Sequence, residues 1–187
     1  MKLESIPNAV TLLRILLIAP VVYLLLTEQY TWGLIVALIA GASDGVDGYL
    51  AKRYGWDSHL GAVLDPIADK LLLSACYIAL AILKLLPVWL VVTVLVRDVV
   101  IVVGATIYHV RFNPLQPEPS KLSKLNTVAQ IGLVLIVLFN QVKPIFNAQF
   151  LEAVIWLVFV TTLASGLNYV WVWGFKARDE AAAARNE

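Results

Sequence analysis

The chain has 187 residues, of which 60% are hydrophobic and 14% charged, with a formal net charge of +1. A soluble domain carries about 25% charged residues, so an ordinary water-soluble domain is excluded, and the near-neutral balance argues against a nucleic-acid partner. A single cysteine, Cys76, excludes an internal disulfide and reads as core packing within an apolar helix.

Six apolar stretches follow in order, at about 7–26, 31–52, 60–83, 87–109, 122–141 and 149–173. Each is long enough to cross about 30 Å of hydrocarbon as a helix. The expected fold is all-α: a polytopic membrane protein with six transmembrane helices in one domain over 1–176, followed by a tail at 177–187. Lys2, Lys52, Arg53, Arg111, Lys121, Lys124, Lys176, Arg178 and Arg185 lie at the termini and in the second and fourth connections. Only Lys84 and Lys143 lie in the others, which places both termini in the cytoplasm. Met1–Pro7 lacks a strongly basic stretch, and no cleavable signal peptide is expected. The expected location is a membrane, with a bacterial inner membrane favoured over a mitochondrial one.

The first stretch carries Asn8, Thr11 and Arg14, which fall along one helical stripe. Arg14 either snorkels to the headgroups or forms, with the other two, an anion-binding stripe facing the interior. The second stretch ends with Asp44 and Asp47, three apart, and the third carries Asp65 and Asp69, four apart. Each pair shares a helix face, and the short connection makes the two helices antiparallel neighbours. An ionised carboxylate at mid-bilayer costs about 2.5–3.5 kcal/mol, so four without compensation would cost on the order of 10 kcal/mol. Divalent metal resolves their mutual repulsion. An all-oxygen ligand set favours hard ions, Mg²⁺ or Mn²⁺, over Zn²⁺.

Gly48, Ala51 and Gly61 remove bulk beside these carboxylates. They serve either tight helix packing or the close approach of a ligand. Lys52 and Arg53 are either cytoplasmic anchors or phosphate contacts. The fourth stretch contains Arg97-Asp98, either a structural ion pair or a cation for substrate. Asn113–Pro119 is proline-rich and does not continue a helix; Arg111, Lys121 and Lys124 flank it as further cations.

The segment Asp44, Asp47, Gly48, Ala51, Lys52, then Gly61, Asp65 and Asp69, resembles the signature of the CDP-alcohol phosphatidyltransferases, Asp-x-x-Asp-Gly-x-x-Ala-Arg, eight residues, Gly-x-x-x-Asp-x-x-x-Asp. Every spacing is kept. Lys52 departs from the pattern, since an ammonium cannot reproduce a bidentate guanidinium contact. Ile6-Pro7-Asn8 through Arg14 is similar to the family's first-helix motif. Ser123-Lys124-Leu125-Asn126-Thr127 followed by Gln130 most resembles the cardiolipin synthase branch.

The resemblance implies a homodimer of six-helix subunits with a cavity open to the cytoplasmic leaflet. It implies transfer of the phosphatidyl group of CDP-diacylglycerol to an alcohol, with release of CMP. The alcohol is phosphatidylglycerol, giving cardiolipin, or alternatively glycerol 3-phosphate. Asp44, Asp47, Asp65 and Asp69 would hold two ions, Mg²⁺ or Mn²⁺, and Asp69 would also be the general base. Asn8, Thr11, Arg14, Gly48, Ala51, Lys52, Arg53 and Gly61 would bind CDP-diacylglycerol. Arg97, Arg111, Lys121, Lys124 and Asn126 would bind the acceptor. A different class of function, cation transport through the intramembrane aspartates, is the rival reading.

Overall fold

A computed structural model of the chain shows six helices and, among the described residues, no strand. They are α1 (Ile6–Leu26), α2 (Tyr30–Tyr54), α3 (His59–Ile82), α4 (Val88–Phe112), α5 (Lys121–Val142) and α6 (Ala148–Ala183). The structure describes the backbone of residues 6–54, 59–112 and 121–183, and the side chains of 12–42, 70–104 and 122–171.

The helices match the apolar stretches to within three residues, except at the end of α6. That helix runs for 36 residues, through Ala183 and so into the expected tail. Lys176, Arg178, Glu180 and the alanines that follow are strong helix formers, so the helix persists where apolarity stops. Among the described residues two helices are long and apolar enough to cross a membrane, Leu122–Val142 and Ala148–Trp171. Shorter apolar helical stretches lie at Leu12–Leu26, Tyr30–Ala42 and Lys70–Ile82. Large apolar side chains such as Leu16, Trp32, Val99, Val128 and Leu167 are exposed, as lipid-facing residues would be.

The chain divides into two compact units. The first comprises residues 1–87 and 134–147. Here α1 packs against both α2 and α3, around Val21, Leu25, Ala40, Leu72, Tyr77 and Leu80. Cys76 is buried and free, as core packing requires. The turn after α1 is closed by Glu28, whose φ is 59°. Its amide donates to Leu25 O at 2.8 Å, and the Gln29 amide reaches back to Leu24 O at 2.8 Å. This pair of bonds satisfies the last carbonyls of α1 by a Schellman arrangement. Lys84 repeats it after α3, with φ 58°, its amide on Ala81 O at 3.0 Å and the Leu85 amide on Leu80 O at 2.9 Å. Gly33 is required by close approach, because a Cβ there would lie 2.8 Å from Leu25 Cδ2. At the end of α5, Asn140 Oδ1 accepts the amides of Ile145 and Phe146 at 3.0 and 2.9 Å.

The second unit comprises residues 88–133 and 148–187. Trp89 meets Trp156 and Phe159, with ring centroids 5.3 and 5.1 Å away. Further along, Arg97 meets Ser165, and a Cβ on Gly104 would lie 2.9 Å from the Tyr169 ring. Residue numbers rise together along both helices, so α4 and α6 run parallel. α5 runs the other way: Ser123 shares Arg97 with Ser165, and further along α5 Asn126 and Gln130 meet Thr162.

Candidate functional site

The backbone carries the four aspartates on regular helix. Asp44 and Asp47 lie on α2, and Asp65 and Asp69 lie on α3, so helical geometry keeps each pair on one face. An all-oxygen set in helical pairs fits Mg²⁺ or Mn²⁺. These four side chains lie outside the described residues. Among those described, no group of three or more His, Cys, Asp or Glu could hold a metal. Asn8 and Thr11 on α1, Gly48, Ala51, Lys52 and Arg53 on α2, Gly61 on α3, Arg111 on α4 and Lys121 on α5 likewise fall outside the residues described beyond their backbone.

Arg14 is described, and it is only 2% exposed. It faces the interior of the first unit rather than snorkelling to headgroups. The physical reason is that α1 is covered by both α2 and α3.

Every other buried polar residue among those described belongs to the second unit: Arg97, Asp98, Asn126, Gln130, Thr162 and Ser165. They form a continuous seam. Arg97 Nη1 pairs with Asp98 Oδ1 at 2.7 Å, which balances the charge locally. Arg97 Nη2 donates to Ser123 Oγ at 2.7 Å and to Ser165 Oγ at 2.5 Å, so one guanidinium ties α4 to both α5 and α6. Small residues permit this: even a Cβ on Gly166 would only just touch the Arg97 stem, at 3.5 Å from Cγ. One turn deeper along α5, Asn126 Oδ1 accepts from Thr161 at 3.0 Å and Thr162 at 2.9 Å. Gln130 Nε2 then donates to Thr162 Oγ1 at 3.4 Å.

Two donors in this seam, Arg97 Nε and Asn126 Nδ2, are buried with no hydrogen-bond partner among the described residues. Such groups cost about 1–3 kcal/mol each when left unmade, and more in lipid. Of the expected acceptor-site residues, Arg97 and Asn126 are both buried in this seam, Arg97 on Ser123 one turn from Asn126 along α5, whereas Lys124 is exposed. Ser165, Thr161 and Thr162 were not foreseen as site residues. Their signal is a small-polar group, Thr161-Thr162-x-x-Ser165, within an otherwise apolar stretch.

Comparison with known proteins adds the lineage. A family model described as CDP-alcohol phosphatidyltransferase matches residues 4–164. The cardiolipin synthase (CMP-forming) of Rattus norvegicus is 34% identical over 186 residues, covering 88% of this chain and 60% of that protein. The cardiolipin synthase (CMP-forming) of Homo sapiens is 33% identical, with the same coverage of 88% and 60%. A CDP-diacylglycerol–glycerol-3-phosphate 3-phosphatidyltransferase of Bacillus subtilis is 30% identical over 187 residues, covering 88% of this chain and 93% of that protein. The chain thus spans less than two thirds of the animal relatives' length.

Proposed function

The chain belongs to the CDP-alcohol phosphatidyltransferase family, and we propose that it moves the phosphatidyl group of CDP-diacylglycerol to phosphatidylglycerol, forming cardiolipin and releasing CMP. The observation that carries the acceptor is the inward face of Ser123, Asn126 and Gln130. This segment resembles the cardiolipin synthase branch, and in the fold it meets the buried Arg97 and Thr162. The animal relatives named for that activity support the same reading. The ion-transport reading of the aspartates has no support in the family match.

In this reading Asp44, Asp47, Asp65 and Asp69 hold two divalent ions, Mg²⁺ or Mn²⁺. Bound there, such ions supply neutralisation and alignment for a diphosphate. Asp69 takes the proton from the acceptor hydroxyl. The freed oxygen attacks the phosphorus that carries diacylglycerol. The bond from that phosphorus to the CMP oxygen breaks, and CMP leaves with the electron pair. Gly48, Ala51 and Gly61 leave room for the nucleotide, while Asn8, Thr11, Arg14, Lys52 and Arg53 contact the CDP-diacylglycerol phosphates. Arg97, Arg111, Lys121, Lys124 and Asn126 receive the acceptor's phosphate. The protein works as a six-span homodimer with both termini cytoplasmic, in a bacterial inner membrane.

A second reading keeps the chemistry and changes the acceptor to glycerol 3-phosphate. The Bacillus subtilis relative favours it, because the match extends over 93% of that protein. An acceptor panel tests both. Purified protein receives Mg²⁺ or Mn²⁺, CDP-diacylglycerol and one alcohol at a time, and the lipid product is identified by mass spectrometry. Cardiolipin from phosphatidylglycerol is the expected result. Phosphatidylglycerophosphate from glycerol 3-phosphate alone overturns it in favour of the second reading.

A further inference from the structure

Ser123, Asn126 and Gln130 recur on α5 at helical spacing, so they share one face. α6 sets Ser165, Thr162 and Thr161 against them. The direction of the hydrogen bonds matters here. Gln130 Nε2 donates to Thr162 Oγ1, which leaves Thr162 its own proton to give. That proton goes to Asn126 Oδ1 at 2.9 Å, and Thr161 adds a second donor to the same oxygen at 3.0 Å. The oxygen of the carboxamide is thereby satisfied by Thr162, with the single Thr161 proton shared between it and the Val158 carbonyl. Its nitrogen, on the other side of Cγ, carries two N–H bonds and no partner among the described residues, in a residue that is 0% exposed. Rotating the amide would let Nδ2 donate to the threonine oxygens but would leave Oδ1 as the unmade pole, so one pole of the amide lacks a partner among the described residues either way.

A serine or threonine hydroxyl alone could serve as glue between membrane helices, and such pairs need no ligand. The unpartnered nitrogen is what glue does not explain. Packing alone would favour an apolar residue over an amide with one pole unmade. The neighbouring turn supplies a second buried donor without a partner among the described residues, Arg97 Nε. Two donors without acceptors suit oxygen-rich anionic groups.

We infer that Thr162 is a positioning residue for acceptor recognition: it holds the Asn126 carboxamide so that Nδ2 donates to an oxygen of the acceptor's phosphate-bearing headgroup. The inference rests on the reading of Asn126 as an acceptor-site residue. Ser123, one turn before Asn126, is half-buried, and Lys124 beside it is exposed. A headgroup oxygen entering past Ser123 has about 4.5 Å of helix axis to travel. Thr161 assists but is replaceable, because its hydroxyl also lies 3.0 Å from its own Val158 carbonyl.

The test uses the full chain in detergent and reads ligand-induced shifts of the thermal midpoint, which report binding without turnover. Glycerol 3-phosphate and a short-chain phosphatidylglycerol are titrated separately, each against the parent, Thr162→Val, Thr162→Ser and Asn126→Asp. The parent is expected to bind one of the two probes. Thr162→Val should weaken that binding roughly tenfold, and Thr162→Ser, which keeps the hydroxyl, should restore it. CDP-diacylglycerol should bind Thr162→Val as it binds the parent. Asn126→Asp keeps an oxygen facing the threonines but replaces the donor, so it should weaken the probe at least as much. Should Thr162→Val not fold, Asn126→Asp carries the test alone.

Parent-like probe binding by the folded variants overturns the inference. So does an equal loss of CDP-diacylglycerol binding in Thr162→Val, or a parent that binds neither probe. The expected binding pattern without lipid product from any acceptor leaves this inference standing and removes the proposed function. Product formation with parent-like binding in Thr162→Val does the reverse.

Discussion

Thr162 gives its hydroxyl proton to Asn126 Oδ1 across 2.9 Å, which joins α5 to α6 through two side chains that are both 0% exposed. Arg97 repeats the theme one turn away, joining α4 to Ser123 and Ser165. The second unit thus adds polar ties to its apolar core of Leu90, Val94, Leu133 and Val158. The consequences for stability and for activity can be separated experimentally.

The Arg97–Asp98 pair gives one such separation. Asp98→Asn leaves a buried guanidinium without its carboxylate, and a loss of about 3–5 kcal/mol is expected. The double replacement Arg97→Met with Asp98→Leu removes both charges and should recover most of that stability. It should still fail to use the acceptor. Thermal unfolding in detergent, alongside product formation, measures the two effects.

Two glycines on facing helices should respond differently. Gly104→Ala drives a methyl to 2.9 Å from the Tyr169 ring, so α4 and α6 must separate or the ring must turn. A loss of about 1–3 kcal/mol is expected. Gly166→Ala meets only the Arg97 Cγ at an ordinary 3.5 Å, and it should keep or slightly raise stability through better helix propensity. A lower thermal midpoint for Gly166→Ala than for Gly104→Ala would contradict this packing of α4 on α6.

Glu28 and Lys84 hold left-handed backbone with φ of 59° and 58°. A side chain there costs about 1 kcal/mol relative to glycine. Glu28→Gly and Lys84→Gly should each stabilise by about 0.5–1 kcal/mol, and turnover should not change. Unfolding midpoints of the two single variants and the double variant test this, and the effects should add.

The aspartates are separated by role. Asp69→Asn should abolish CMP release while keeping much of the metal affinity. Asp65→Asn should lose both. Mn²⁺ binding followed by electron paramagnetic resonance reports the first property independently of turnover. Near-normal CMP release by Asp69→Asn removes that residue from the role of base, and metal-independent activity in the parent removes the metal site altogether.

Helix positions were legible because apolar runs bounded by charge and proline leave little choice in a chain of this composition. The start of α4 at Val88 follows Pro87, and the start of α5 at Lys121 follows the proline-rich 113–119 segment. The end of α6 was not legible from apolarity, since Ala181–Ala183 continue a helix by propensity alone. The two left-handed caps were hidden because no glycine or asparagine marks Glu28 or Lys84. Arg14 left two orientations open, and only the packing of α1 against two neighbours turned it inward. The same holds for Thr162. A threonine pair in an apolar helix is unremarkable by itself, and the meaning of Thr162 comes from Asn126, 36 positions away in the chain.

The seam of α4, α5 and α6 also bears on how the second unit assembles. Lipid offers helices no hydrophobic reason to prefer one alignment over another, and apolar faces can slide past each other at little cost. Moving α5 one turn toward the start of α6 would draw Asn126 and Gln130 away from Thr162 and strand Arg97 from Ser123. The polar rungs therefore act as a ratchet that accepts one alignment. A sequence that abandoned acceptor chemistry could not simply drift to apolar residues there; it would first need another way to tell its helices where to stop.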